Sequence, residues 1–140
     1  MKVTRLTRQL SNEKGSVTIE FIGILPLIFL FMLICWQFLL GIYGIIAAQS
    51  AANEAAKVFA ITGNQDSALN AAKKVLNGAG GGIGYNGGES YIEYKDEGYF
   101  KVIVGANLEI AFLPDILTDN MKPEDKVISF QREITSRVVR

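Results

Sequence analysis

The apolar positions of this chain fall into three successive patterns. From Phe21 to Ala48 the chain is almost wholly apolar and carries no charge. At ~1.5 Å per residue such a run is about two turns longer than the ~20 residues that cross a hydrocarbon core. A soluble core helix of that length would keep a polar face, and here Gln37 stands almost alone among apolar and small residues. Pro26 removes one backbone hydrogen bond and is expected to bend or loosen the helix near Ile22. Gly41 and Gly44 mark a second expected soft spot. Beyond them, Ala48, Ala52 and Ala56 form one stripe and Ala47, Ala51 and Ala55 its neighbour. Small residues at that spacing allow close helix–helix approach, and alanine also favours helix on its own. The helix is expected to continue through Glu54 and Lys57 to about Ile61.

The second pattern has helical spacing. Asn64-Gln65-Asp66-Ser67 supplies capping residues, and Ala68, Leu69, Ala72, Val75 and Leu76 recur on one face, which predicts a short helix to about Asn77. Residues 78–88 contain seven glycines in eleven positions and read as a flexible loop. It follows a helix and lacks the Lys-Ser/Thr ending of a phosphate-binding loop.

The third pattern alternates. Tyr91 to Lys95 reads as a strand with Ile92 and Tyr94 inward, and Asp96-Glu97-Gly98 as a hairpin turn. Phe100, Val102, Val104, Ala106, Leu108, Ile110 and Phe112 share one parity, the mark of a long half-buried strand. Leu113-Pro114-Asp115-Ile116-Leu117 reads as a helical turn and Lys122-Pro123-Glu124-Asp125 as a loop. A third strand is expected over about Lys126 to Val139, with Ile128, Phe130, Ile134 and Val138 on one face. The expected fold class is therefore α+β: a long N-terminal transmembrane helix, a short helix, and a small antiparallel sheet of about three strands. The polar part, about residues 62–140, holds only a modest core, so support from outside it is expected.

Charge sets the orientation. Lys2, Arg5, Arg8 and Lys14 precede the apolar run against one acid, Glu13, which predicts a cytoplasmic N-terminus and an outer C-terminal part. The chain balances 14 basic against 14 acidic residues, has no histidine, and shows no basic stripe of a nucleic-acid binder. The single cysteine, Cys35, lies in the apolar run, where a thiol stays protonated and packs. Asp115, Asp119, Glu124 and Asp125 have no evident nucleophilic, basic or metal-binding companion, so no catalytic residue, cofactor or metal is expected. Exposed sheet edges are the better candidates for contact, since they can pair with another chain. Ala48-Gln49-Ser50 has the form of a signal-peptidase site, but the apolar run is nearly twice as long as a secretory signal's ~7–15 residues.

The order of residues at the head of the helix is distinctive. Gly15-Ser16-Val17-Thr18-Ile19-Glu20-Phe21 follows basic residues and leads into the apolar run. With Pro26 and the alanine-rich stretch 47–57, it resembles the class III (type IV-like) prepilin signal, and specifically the TadE-like pseudopilins of the tight-adherence (Tad, or Flp) pilus. The resemblance spans about residues 14–60. It implies cleavage between Gly15 and Ser16 by a separate, membrane-embedded prepilin peptidase, and an assembly role for Glu20, Phe21 and Pro26. Major pilins and type II secretion pseudopilins usually begin the mature chain with Phe, unlike Ser16, and major Flp pilins are much shorter.

Implied partners are the bilayer, the peptidase, and related pilins or pseudopilins in a hetero-oligomer at the bacterial cytoplasmic membrane. The implied division is a cleaved cytoplasmic leader (1–15), a transmembrane and assembly helix (16–61), and a small extracytoplasmic α+β domain (62–140). Three readings predict three mature N-termini: Ser16 for a processed pseudopilin, Met1 for an uncleaved signal-anchored protein displaying a small binding domain, and Ala51 for a secreted hydrolase.

Overall fold

The computed structural model describes residues 3–110 and 119–139. The expected α+β architecture is present: a long helix α1 (Val3–Thr62), a short helix α2 (Gln65–Ala79), and three strands, β1 (Ile83–Tyr94), β2 (Tyr99–Glu109) and β3 (Val127–Arg137), in one antiparallel sheet of order β1-β2-β3. Phe112, Asp115 and the turn expected over 113–117 lie outside the described residues. The chain divides into two units, Met1–Trp36 and Gln37–Arg140.

In the first unit α1 continues through Pro26 rather than stopping there. A proline deletes one ladder bond, and the surrounding bonds and the apolar sequence hold the helix on either side. Its large apolar side chains, among them Val17, Phe21, Leu27 and Phe31, are all exposed.

In the second unit α1 changes character. Gly63, at φ +63°, ends the helix by donating its N–H to the Phe59 carbonyl at 2.8 Å, the left-handed glycine cap. Asn64 then caps α2, its side-chain oxygen accepting from the Ser67 N–H at 3.0 Å. Between these ends the two alanine stripes of α1 are buried at 0–7 % exposure. They share one core with Phe59, with Ala68, Ala72 and Leu76 of α2, and with the inner face of the sheet. The stripes thus pack within their own chain, in a core that α2 and the sheet share. Methyl-sized side chains let α1 lie close on a sheet as readily as on another helix.

The long alternating strand is the centre of that sheet. Phe100, Val102, Val104, Ala106 and Leu108 of β2 are at most 3 % exposed. Phe130, Ile134 and Val138 of the third strand pack beside them, but Ile128 is 49 % exposed at the start of β3. Tyr94, expected inside, is 67 % exposed and only its ring edge meets Phe59, at 5.5 Å between centroids. It stands on the edge strand β1 opposite Phe100, where its far side is open to solvent.

The glycine-rich stretch is largely strand. Only Gly80, Gly81 and Gly82, all at positive φ, form the turn; β1 begins at Ile83. Its pairing with β2 jumps from Asn86↔Gly105 to Tyr91↔Ile103, so Gly87, Gly88, Glu89 and Ser90 stand opposite Val104 alone. This wide bulge absorbs the glycines. Ser90 repairs the ladder: its Oγ accepts the Gly105 N–H at 2.9 Å and donates to the Asn86 carbonyl at 2.6 Å. The bulge folds over Gly105 so closely that a Cβ there would meet the Glu89 Cβ at 2.7 Å and the Asn86 oxygen at 3.1 Å.

The hairpin turn forms at Asp96–Gly98 as expected, with Glu97 in the left-handed region at φ +66°. Gly105→Ala is therefore expected to lower stability by ~1–3 kcal/mol through forced displacement of the bulge. Glu97→Gly should raise it by up to about 1 kcal/mol, by relieving left-handed strain. Urea titration of the full chain in detergent measures both, and a Gly105→Ala midpoint equal to the parent's removes the bulge account.

Candidate functional site

The candidate site residues all lie on α1, whose surface changes character along its length. Gly15 and Ser16 fall inside α1, and Glu20, Phe21 and Pro26 follow on its exposed surface. Ser16 and Glu20 are one turn apart, the separation at which groups on a helix surface are neighbours. The fold brings no second element to these residues among those described. The role expected of them rests on the sequence alone.

From Val17 the helix has the length and composition of a single membrane span, with a mean hydropathy of 2.6 over its most apolar window. Gln37 carries the polar exception. Its amide nitrogen and oxygen are both shielded and have no hydrogen-bond partner among the described residues, a costly state for a buried amide.

Past Gln37 one side of α1 becomes core. A Cβ on Gly44 would lie 3.2 Å from the Phe130 ring and 3.7 Å from Ile83. Gly44 is thus a close-contact residue rather than a soft spot, and spacing alone could not separate it from Gly41, whose Cβ position is open. Tyr43 donates its hydroxyl proton to the Ala79 carbonyl at 3.1 Å, tying α1 to the end of α2. At the far end Phe59 packs edge-on against Phe100, centroids 4.7 Å apart. Sequence reasoning missed Phe59, Gly44 and Gly105; the available signal for Phe59 was a large aromatic following an alanine run.

This arrangement also bears on the secreted reading. A cut after Ser50 would remove Gly44, Ala47 and Ala48 from the core.

The outer face of the sheet is polar. Asn107 Oδ1 accepts from Asn86 Nδ2 at 3.3 Å and from Ser129 Oγ at 2.9 Å, linking all three strands. Lys101 Nζ donates to Glu133 Oε2 at 3.0 Å, and the hydrogen bond and charge of Glu133 hold the ammonium pKa above the ordinary lysine value. Asp125 serves its own turn, accepting the Lys122 N–H at 3.2 Å. No cluster of metal-ligating side chains occurs among the described residues.

The edges differ. β1 carries the bulge, whereas β3 pairs regularly with β2 along its length. The Ile110 N–H donates to the Lys126 carbonyl and the Val138 N–H to the Gly98 carbonyl. That phase turns the backbone groups of Ser129, Gln131, Glu133 and Thr135 away from β2.

Residues 15–57 match the model of a family described as TadE-like protein. Over that segment the helix is similar to TadE-like proteins. The match begins at Gly15 and ends at Lys57, under a third of the chain, and covers both the exposed sleeve and the alanine face. Among the described residues the same helix is the one candidate membrane span. No curated protein and no solved structure matches the chain.

Gly44→Val is expected to destabilise the second unit by ~1–3 kcal/mol by pushing on Phe130. Gly41→Ala should be neutral or stabilising by up to about 1 kcal/mol, as expected at an open helical site. Thermal unfolding of the full chain in detergent separates the two, and equal effects at both positions would contradict the packing role of Gly44.

Proposed function

We propose that this protein is a minor pseudopilin or pilus-assembly component, processed after Gly15 and joined to related pilins through the exposed first half of α1. The observation that carries this reading is the TadE-like match, which starts at Gly15 and runs through the apolar helix. A membrane-embedded prepilin peptidase releases the basic leader and frees an α-amino group on Ser16.

The chemistry of Glu20 supports the order of events. A carboxylate inside a membrane helix costs ~2.5–3.5 kcal/mol at the bilayer centre and less near the interface. An ammonium one turn away, or on the neighbouring subunit, offsets that cost and fixes the register between helices. The amine does not exist before cleavage, so processing switches the pairing on. The N-terminus stays at the cytoplasmic side and the sheet lies outside. The helix surface offered to neighbours is the apolar sleeve N-terminal to the alanine face, because the alanines are occupied by the chain's own sheet.

Gly15→Ala is expected to leave the leader in place, visible as a precursor band on a gel and as Met1 on N-terminal sequencing. Normal maturation of that variant, with Ser16 first, would falsify the processing step. Glu20→Ala should be cleaved as usual yet fail to co-purify with partner pseudopilins. Unchanged co-purification would leave the pairing scheme without support and favour a signal-anchored protein that displays its outer domain, with the open edge of β3 as the contact.

A further inference from the structure

The second unit begins while its helix is still greasy. On one side of α1, Leu40 meets Gly81, and Gly44 meets Phe130 and Ile83. On the free side of the same two turns, Phe38, Leu39, Ile42, Tyr43, Ile45 and Ile46 are all exposed. The first polar residues that follow are Gln49, Ser50 and Asn53. One stretch of helix is therefore flanked by folded protein on one side and by an apolar surface that water disfavours on the other. That surface continues the candidate membrane span without a polar break.

The sheet is oriented to match. Its Gly82–Glu109–Val127 end lies beside Leu40 and Gly44, and its hairpin end lies beside Phe59 and Ala60. The near end carries a turn of three glycines with no side chains, Gly80–Gly82, and the half-exposed Ile128. Glu109 stands at its rim as an exposed charge and Lys126 as a half-buried one. Tyr43 sits at this level with an apolar ring and a bonded hydroxyl, the composition favoured at a membrane–water boundary. From Leu40 to Ile46 the helix rises ~9 Å, close to the about 5–8 Å that one headgroup layer adds to the hydrocarbon core.

We propose that this end of the second unit is seated in the headgroup layer of the outer leaflet. Lipid covers the free face from Phe38 to Ile46, and the Gly80–Gly82 turn and Ile128 rest at the surface. The domain then sits directly on the bilayer with no stalk between. The proposal rests on the membrane-spanning part of the functional reading and is independent of leader cleavage.

The test uses the full chain with Cys35→Ala and single substitutions Phe31→Cys, Ile42→Cys, Ile46→Cys, Ile128→Cys or Asp96→Cys, each replacing an exposed residue. Each is labelled with a nitroxide and reconstituted in phosphatidylethanolamine–phosphatidylglycerol vesicles. Collision rates with oxygen, which concentrates in lipid, are compared with those of a water-soluble nickel chelate. The oxygen-to-nickel ratio is expected to be high at Phe31, nearly as high at Ile42, intermediate at Ile46 and Ile128, and several-fold lower at Asp96. A water-like ratio at Ile42 and Ile46 beside a lipid-like ratio at Phe31 overturns the seating while leaving the span intact. A water-like ratio at Phe31 overturns the span itself. Labels at Ile42 and Ile46 that neither reagent reaches also overturn the proposal, because protein and not lipid then covers the face.

Discussion

The second unit depends on one shared core, in which the alanine face of α1, the buried face of α2 and the apolar row of β2 are shielded together. That row needs a cover. Burying Phe100, Val102, Val104 and Leu108 contributes ~1.5–3 kcal/mol each, together on the order of the ~5–15 kcal/mol that separates a folded domain from its unfolded chain. Two β-strands and a fifteen-residue helix cannot cover the row by themselves. α1 completes the layer, and it does so with methyl groups from Ala47 to Ala56, so its axis lies close to the sheet. Phe59 then fills the wider space near the hairpin, where Phe100 and Tyr94 meet its ring. The small polar part, expected to need support from outside it, finds that support in the long helix of its own chain.

The consequence is that one helix faces two kinds of surroundings and is built differently for each. Where lipid is the expected neighbour, Phe, Leu and Ile point in all directions and no face is distinguished. Where protein is the neighbour, one side shrinks to alanine and glycine and the opposite side turns polar with Asn53, Glu54 and Lys57. Glu54 and Lys57 form an exposed pair at 3.6 Å, worth little in stability but consistent with a solvated face. Gly41 and Gly44 straddle the change: one opens onto free space, the other accepts an aromatic ring.

Much of this was legible in the residue order, and the failures share a physical cause. Period-two alternation from Phe100 to Leu108 specified β2 and its inner face, because only a strand places those side chains together. Asn64 specified the start of the second helix through capping chemistry, whereas the Gly63 stop of the first was not read. Residues 78–88 read as loop because glycine weakens a strand and says nothing of pairing. The cue that they form β1 was subtler: Ile83 and Tyr85 alternate, and Ser90 supplies a hydroxyl where the ladder is broken. The alanine stripes pointed to close approach by another element, and small residues alone do not say whether that element is a helix, a sheet or, as in this core, both. Gly15 and Ser16 are the reverse case. The processing expected of them rests on residue order alone.

That asymmetry bears on how such a protein recognises its neighbours. Apolar side chains gain little by leaving lipid for one another, so selective contact between membrane helices comes from small residues and polar groups. The alanines are spent on the sheet. Among the described residues on the exposed first half of α1 there remain Thr18, Gly23, with open space around it, Cys35, and Glu20, the acid that heads the apolar run. Gln37 is already shielded at the start of the second unit. A sleeve of interchangeable leucines and phenylalanines cannot encode register, whereas one acid at a fixed height can, provided its counter-charge sits at an equally fixed height. The amino terminus of a trimmed helix is such a charge, fixed by the cut itself. Under the proposed function, the position of the cut, one turn before Glu20, would matter more to assembly than the identity of any single apolar residue that follows.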